Sequence, residues 1–146
     1  GAPGRGLGRV GTLAAPISLA QLAERVADIL PPTVTGVRFA GDAERTVSRV
    51  AVCGGAGDSL LGHAAVRESD AYVTSDLRHH PASEALESAA ISGGPALVDT
   101  AHWASESLWL DALANELRVE LPDVAVTISR RSTDPWTGVV HPAAPS

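Results

Sequence analysis

Lysine and methionine are absent from this chain, and cysteine occurs once, at Cys53. A lone thiol forms no internal disulfide and is too little for a cysteine-based zinc site, so cysteine chemistry is not expected to be the theme. All side-chain basic charge comes from eleven arginines, and the net charge is −6. Nucleic-acid binders concentrate positive charge, so nucleic acid is not the expected principal partner. Aromatic residues are only 3% of the chain while hydrophobic residues reach 45%, so the core is expected to be aliphatic, built from Ala, Val and Leu. No apolar run approaches the roughly 18 residues of a membrane helix, and the leading GAPGRGLGRVG lacks the apolar stretch of a secretory signal. These absences predict a soluble, cytoplasmic protein with no membrane partner.

What is present is enough for one domain. A globular chain of 146 residues buries roughly 70% of the surface it exposes when unfolded. Residues 1–14, rich in Gly, Pro and Arg and without a leading Met, read as a linker or a truncated lead-in, 15–136 as the domain and 137–146 as a tail. Ser18 and Gln21 have capping-box spacing, and apolar residues then recur at helical intervals to Leu30, where Pro31 and Pro32 stop the helix. Short strands are predicted at Val37–Phe39, Val50–Cys53, Ala71–Val73, Ala96–Asp99 and Val124–Ile128. Helices are predicted from Leu60 to about Glu68, Pro81 to about Ala90 and Ala101 to about Glu120. This alternation predicts a layered α/β/α domain with a mainly parallel or mixed sheet.

Three segments could carry chemistry. In Asp99-Thr100-Ala101-His102-Trp103-Ala104-Ser105-Glu106, an imidazole and a carboxylate stand four residues apart at a helix start. Such a pair shares one helical face and can reach a single divalent ion. His102 and Glu106 share a stripe with Leu110, Leu113 and Leu117, which predicts that they face the interior. A plain His–Glu hydrogen bond accounts for the same spacing. The second segment, Thr74-Ser75-Asp76-Leu77-Arg78-His79-His80-Pro81, follows a strand, where α/β folds place their binding crevice. Neighbouring side chains diverge, so one histidine is expected to face the site, and His80 is favoured over His79. The alternative is a surface loop in which Asp76 caps the next turn. The third, Gly54 to Gly57, meets a predicted helix N-terminus, where Gly55 and Gly57 could seat an anionic substrate group. It lacks the P-loop Lys and the full dinucleotide pattern, and a tight turn that needs small residues explains it equally well.

GLGRVGTL, RVAVCGGAGDSLL, AYVTSDLRHH, ALVDTAHWASE and the closing TDPW occur in that order between Gly6 and Trp136. Together they resemble the second half of the type 2 homologues of GTP cyclohydrolase 1, the Nif-three-like dinuclear-metal proteins. The resemblance implies the C-terminal half of a two-lobed fold and a site for two divalent metal ions, whether zinc, manganese or iron. It assigns His102 and Glu106 as metal ligands and places Asp76 and His80 at the site border as the catalytic residues, one or the other handling protons, with Gly55 and Gly57 toward the substrate. Ser75 and Ala101 stand where the family pattern has Gly. The remaining ligands belong to an N-terminal half that this sequence does not contain. By the same resemblance the complete protein is a metal-dependent hydrolase acting on a small molecule or purine nucleotide, or else a non-enzymatic metal-stabilised scaffold, and it forms homo-oligomeric hexamers.

Overall fold

Helix α1 (Leu19–Ile29) starts at the predicted capping box: Gln21 N donates to Ser18 Oγ at 3.2 Å and Ser18 N to Gln21 Oε1 at 3.1 Å. The structure, a computed structural model, describes residues 6–142. The outer ends of the expected lead-in and tail, 1–5 and 143–146, lie outside the described residues. Strands β1 (Gly8–Ser18), β2 (Val37–Ala40), β3 (Thr46–Ala56), β4 (Ala71–Ser75) and β5 (Ala96–Thr100) form one five-stranded sheet in the order β1-β3-β4-β5-β2. The three central strands run parallel and both edge strands pair antiparallel, giving a mixed sheet.

Alternation along the strands divides the core between the two faces. Val50, Ala71, Ala96 and Val98 pack with Leu19, Leu22 and Ala23 of α1. Ala51, Cys53, Tyr72 and Leu97 form the opposite cluster with Leu77 and with Val66 of α2 (Ala64–Arg67), and Ala82 and Leu86 of α3 (His79–Ser92) complete it. Helices on both faces make the predicted α/β/α layering. Helices α4 (His102–Ser107) and α5 (Trp109–Glu120) follow β5. Among the described residues, no helix is long and apolar enough to cross a membrane.

Several local expectations are corrected. Residues 8–14, read as lead-in, belong to edge strand β1. Its Gly8 allows close approach to β3, since a Cβ there would sit 2.6 Å from the Val52 carbonyl oxygen. Pro16 is tolerated because the pairing register shifts between Thr12 and Ile17. The helix expected over 60–68 is a 3-10 turn (Asp58–Leu60) followed by short α2, whose N-cap His63 accepts from Ala65 N. The long helix expected after Ala101 is present as α4 and α5, divided at Leu108, whose own backbone stays helical at φ −64° and ψ −28°. Ser105 and Ser107 each donate to the carbonyl three residues back, at 2.9 and 2.8 Å, a pattern that bends helices. Residues 124–128 form no strand; the Val126 carbonyl accepts from Arg118 Nη2 at 3.0 Å instead of joining the sheet. Trp109 and Trp136 are both exposed.

Candidate functional site

The register Ala56↔Ser75 and Ser75↔Thr100 brings the carboxyl ends of β3, β4 and β5 side by side, so the segments that follow begin next to one another. Asp76 turns the chain out of β4 with φ +54°, a left-handed conformation that Asp tolerates better than most residues. Asp99, near the end of β5, fixes this loop: its carboxylate accepts from Leu77 N at 3.0 Å and from Arg38 Nε at 2.7 Å.

His102 opens α4 and bridges two carboxylates. Its Nδ1 lies 2.7 Å from Asp76 Oδ2, and its Nε2 lies 3.0 Å from Glu106 Oε1, one helical turn on. The predicted grouping of Asp76, His102 and Glu106 is thus present. Asp76 serves the imidazole and does not cap α3, whose N-cap is Arg78. The predicted inward orientation is corrected: the side chains of His102, Asp76 and Glu106 are 41%, 57% and 59% exposed. The hydrogen bond from Asp76 raises the His102 pKa above its ordinary value; partial burial opposes this, and the Glu106 charge adds to it.

Gly55 forms the floor beneath the pair. Its φ is +69°, and a Cβ there would stand 2.7 Å from Glu106 Oε1 and 3.3 Å from His102 Nε2. Glycine therefore keeps open the space where the two donor atoms meet. The anion-seat reading of this segment loses its premise, because Gly55 lies within β3 and no α-helix starts after it. Gly55 N donates to Ser105 Oγ at 3.2 Å, and Gly57 N to the Ser75 carbonyl at 3.4 Å, so both N–H groups are engaged. Gly57 is small for a packing reason, since a Cβ would fall 2.1 Å from Thr74 Oγ1 and 2.3 Å from the Tyr72 hydroxyl.

The sequence reading gave neither Ser75 nor Ser105 a role in the site. Ser75 Oγ, fully buried, donates to Ser105 Oγ at 3.0 Å and lies 3.0 Å from Thr100 Oγ1, while Ser105 Oγ donates to the His102 carbonyl. This hydroxyl chain fastens α4 to β3, β4 and β5. The signal was the hydroxyl residue standing where the resembled pattern has Gly. His80 lies in the first turn of α3, its ring edge-on to His79 at 5.2 Å. It makes no hydrogen bond to Asp76, His102 or Glu106.

Among the described residues, no three His, Cys, Asp or Glu side chains are disposed to hold a metal ion. The donor set still fits part of a site. Metal-binding histidines commonly donate their second ring N–H to a carboxylate, which fixes the tautomer. Asp76 on Nδ1 makes that contact, leaving Nε2 toward Glu106 over the space that Gly55 keeps clear.

Fold and site together define an α/β/α domain carrying an exposed carboxylate–imidazole–carboxylate cluster at the carboxyl edge of its sheet. The chain belongs to the Duf34/NIF3 (NGG1p interacting factor 3) family, whose model matches residues 3–135. It is 52% identical over 132 residues to the GTP cyclohydrolase 1 type 2 homolog of Mycobacterium leprae, an alignment covering 90% of this chain and 33% of that protein. With the homolog of Streptomyces coelicolor the identity is 46%, over 97% of this chain and 50% of the relative. The crystal structure of a Bacillus cereus protein related to NIF3 superimposes with a TM-score of 0.73 at 31% identity, covering 92% of this chain and 36% of that one. The chain thus spans from a third to half the length of these relatives.

Proposed function

We propose that this chain supplies one side of a divalent-metal centre of a hydrolase acting on a small molecule, with a purine nucleotide as the substrate suggested by the relatives' name. The observation that carries this reading is the His102 geometry: Nδ1 committed to Asp76, Nε2 meeting Glu106 Oε1 at 3.0 Å, and glycine beneath. His102 and Glu106 would hold the metal. A divalent cation, when bound, supplies Lewis acidity and lowers the pKa of a bound water. Asp76 keeps the proton on Nδ1 and sets the plane of the ring. His80, exposed nearby on α3, is the candidate for proton transfer to the substrate.

Calorimetric titration of this chain with zinc or manganese tests the metal reading. Binding lost in both His102→Ala and Glu106→Gln is expected; binding that survives in both would sink it. Incubation of a full-length relative with GTP and metal tests the hydrolase, and metal binding without a ring-opened product removes the substrate claim. The run Leu108-Trp109-Leu110, exposed immediately after α4, favours a second reading, a non-enzymatic protein whose metals stabilise a homo-oligomer. Metal-dependent change in oligomer size without turnover would select it.

A further inference from the structure

Beside the cluster an open groove of about 490 Å³ is lined by Ala56, Asp58, Ser59, Asp76, Arg78 and Pro81. One wall is a guanidinium fixed in place. Asp58 accepts from the Arg78 backbone N–H at 3.3 Å and from Arg78 Nε, and its carboxylate is only 14% exposed while the Arg78 side chain is 76% exposed. A nearly buried carboxylate that grips both the backbone and Nε of one arginine orients the guanidinium and leaves its terminal nitrogens unused. Among the described residues, Arg78 Nη1 and Nη2 have no partner, and neither has the Ser59 hydroxyl on the same groove. Arg38 at the edge of the sheet differs, because its Nε and Nη2 are both taken by Asp99.

Two parallel N–H donors and a neighbouring hydroxyl match an anion with three or more oxygens better than a planar carboxylate with two. Asp58 and Arg78 form a pair of zero net charge and Asp76 meets His102, so what the groove offers an anion is oriented N–H and O–H donors and not an excess of positive charge. We propose that Arg78 and Ser59 form a phosphate-binding subsite of the groove, which makes the substrate a phosphomonoester or nucleotide. The subsite stands on the groove alone; its assignment to a substrate rests on the reading of His102 and Glu106 as the reacting centre.

The test is a ¹⁵N NMR titration of the metal-free chain with inorganic phosphate, ribose 5-phosphate and acetate. Phosphate is expected to shift the Arg78 Nε–H resonance together with the Ser59 and Asp76 amides. Removing a charge-assisted pair weakens binding by about tenfold or more, expected for Arg78→Gln, while Ser59→Ala loses about threefold. Both side chains are exposed, so both variants should fold, and unchanged spectra away from the groove verify it. Tighter binding of ribose 5-phosphate than of inorganic phosphate supports the substrate assignment, and equal affinity overturns it. Phosphate binding unaltered by Arg78→Gln, or acetate binding as well as phosphate, overturns the subsite. Since no metal is present, this result and the calorimetric result for His102 can fail independently.

Discussion

Carboxylates meet both ring nitrogens of His102 and raise its pKa above the ordinary value, and the hydrogen bond to Asp76 contributes most. In the metal-free chain its NMR titration midpoint should lie above the ordinary value of about 6.5. Asp76→Asn should lower that midpoint more than Glu106→Gln; the reverse order would contradict the assignment. Because the folded-state pKa is raised, the stabilisation is complete below the unfolded value and is lost as pH rises through the folded value. A metal competes with the same proton, so divalent-ion affinity should increase with pH across that window. The two glycines beneath the site should respond differently to a methyl group. In Gly55→Ala the clash is with the mobile end of Glu106, which can swing away, so the cost is the left-handed φ, about 1 kcal/mol, together with loss of the His102–Glu106 contact. In Gly57→Ala the methyl meets buried Thr74 and Tyr72, which have nowhere to go. Denaturant unfolding should show a loss of about 1–3 kcal/mol or more for Gly57→Ala, and a smaller loss for Gly55→Ala.

At the scale of elements, side chains fasten the strand ends. Ser105→Ala leaves the Gly55 N–H and the Ser75 hydroxyl without their acceptor, which should cost about 1–3 kcal/mol in chemical denaturation and loosen α4 from the sheet. At the opposite end of the sheet, Asp70 Oδ2 accepts from Ser48 N and Arg49 N, both at 2.8 Å. Burial pushes the Asp70 pKa up, but the N–H groups of Arg49 and Ser48 and the charges of Arg45 and Arg49 outweigh it, and the net shift is downward. This stabilisation is therefore present above the unfolded value of about 3.9 and disappears as pH falls through the lower folded value. Asp70→Asn should be less stable than the parent at pH 7, with the gap narrowing in acid; a constant gap from pH 7 to pH 2 would remove this role. The elements legible in the sequence were those with strong local signals, such as the Ser18–Gln21 cap and the apolar runs of β3, β4 and β5. Strand β1 was not legible because Gly8, Gly11 and Pro16 weaken strand propensity, and only the neighbouring β3 makes them acceptable. The apolar Val124–Ile128 run misled because local propensity does not settle pairing; its Val126 carbonyl accepts from Arg118 instead. The site was legible as residue types at a helical interval. Its exposure was not, because the helical interval fixes which residues share a face and not what packs against that face.

At the scale of the whole molecule, the proposed metal reading gives this chain two donors, His102 and Glu106, where a closed site for a divalent ion such as zinc uses about four. A two-donor site on an exposed helix should bind weakly, because its unfilled positions go to water. The chain aligns with a third to half of its relatives' length, and the exposed Leu108-Trp109-Leu110 run directly follows the helix bearing both donors. On the proposed reading, an exposed apolar run beside His102 and Glu106 suits an interface in the full-length relatives, where further donors would complete the site. If the chain alone binds zinc with a Kd of about 10 μM, then 100 μM zinc stabilises it by only about 1.4 kcal/mol, a shift of a few degrees in Tm. Two added protein donors should tighten binding by at least about a hundredfold, so a full-length relative should show a much larger shift at the same concentration. Equal zinc affinity in the short chain and the full-length relative would mean that these 146 residues already contain the whole coordination sphere, and the shared-site reading would fail.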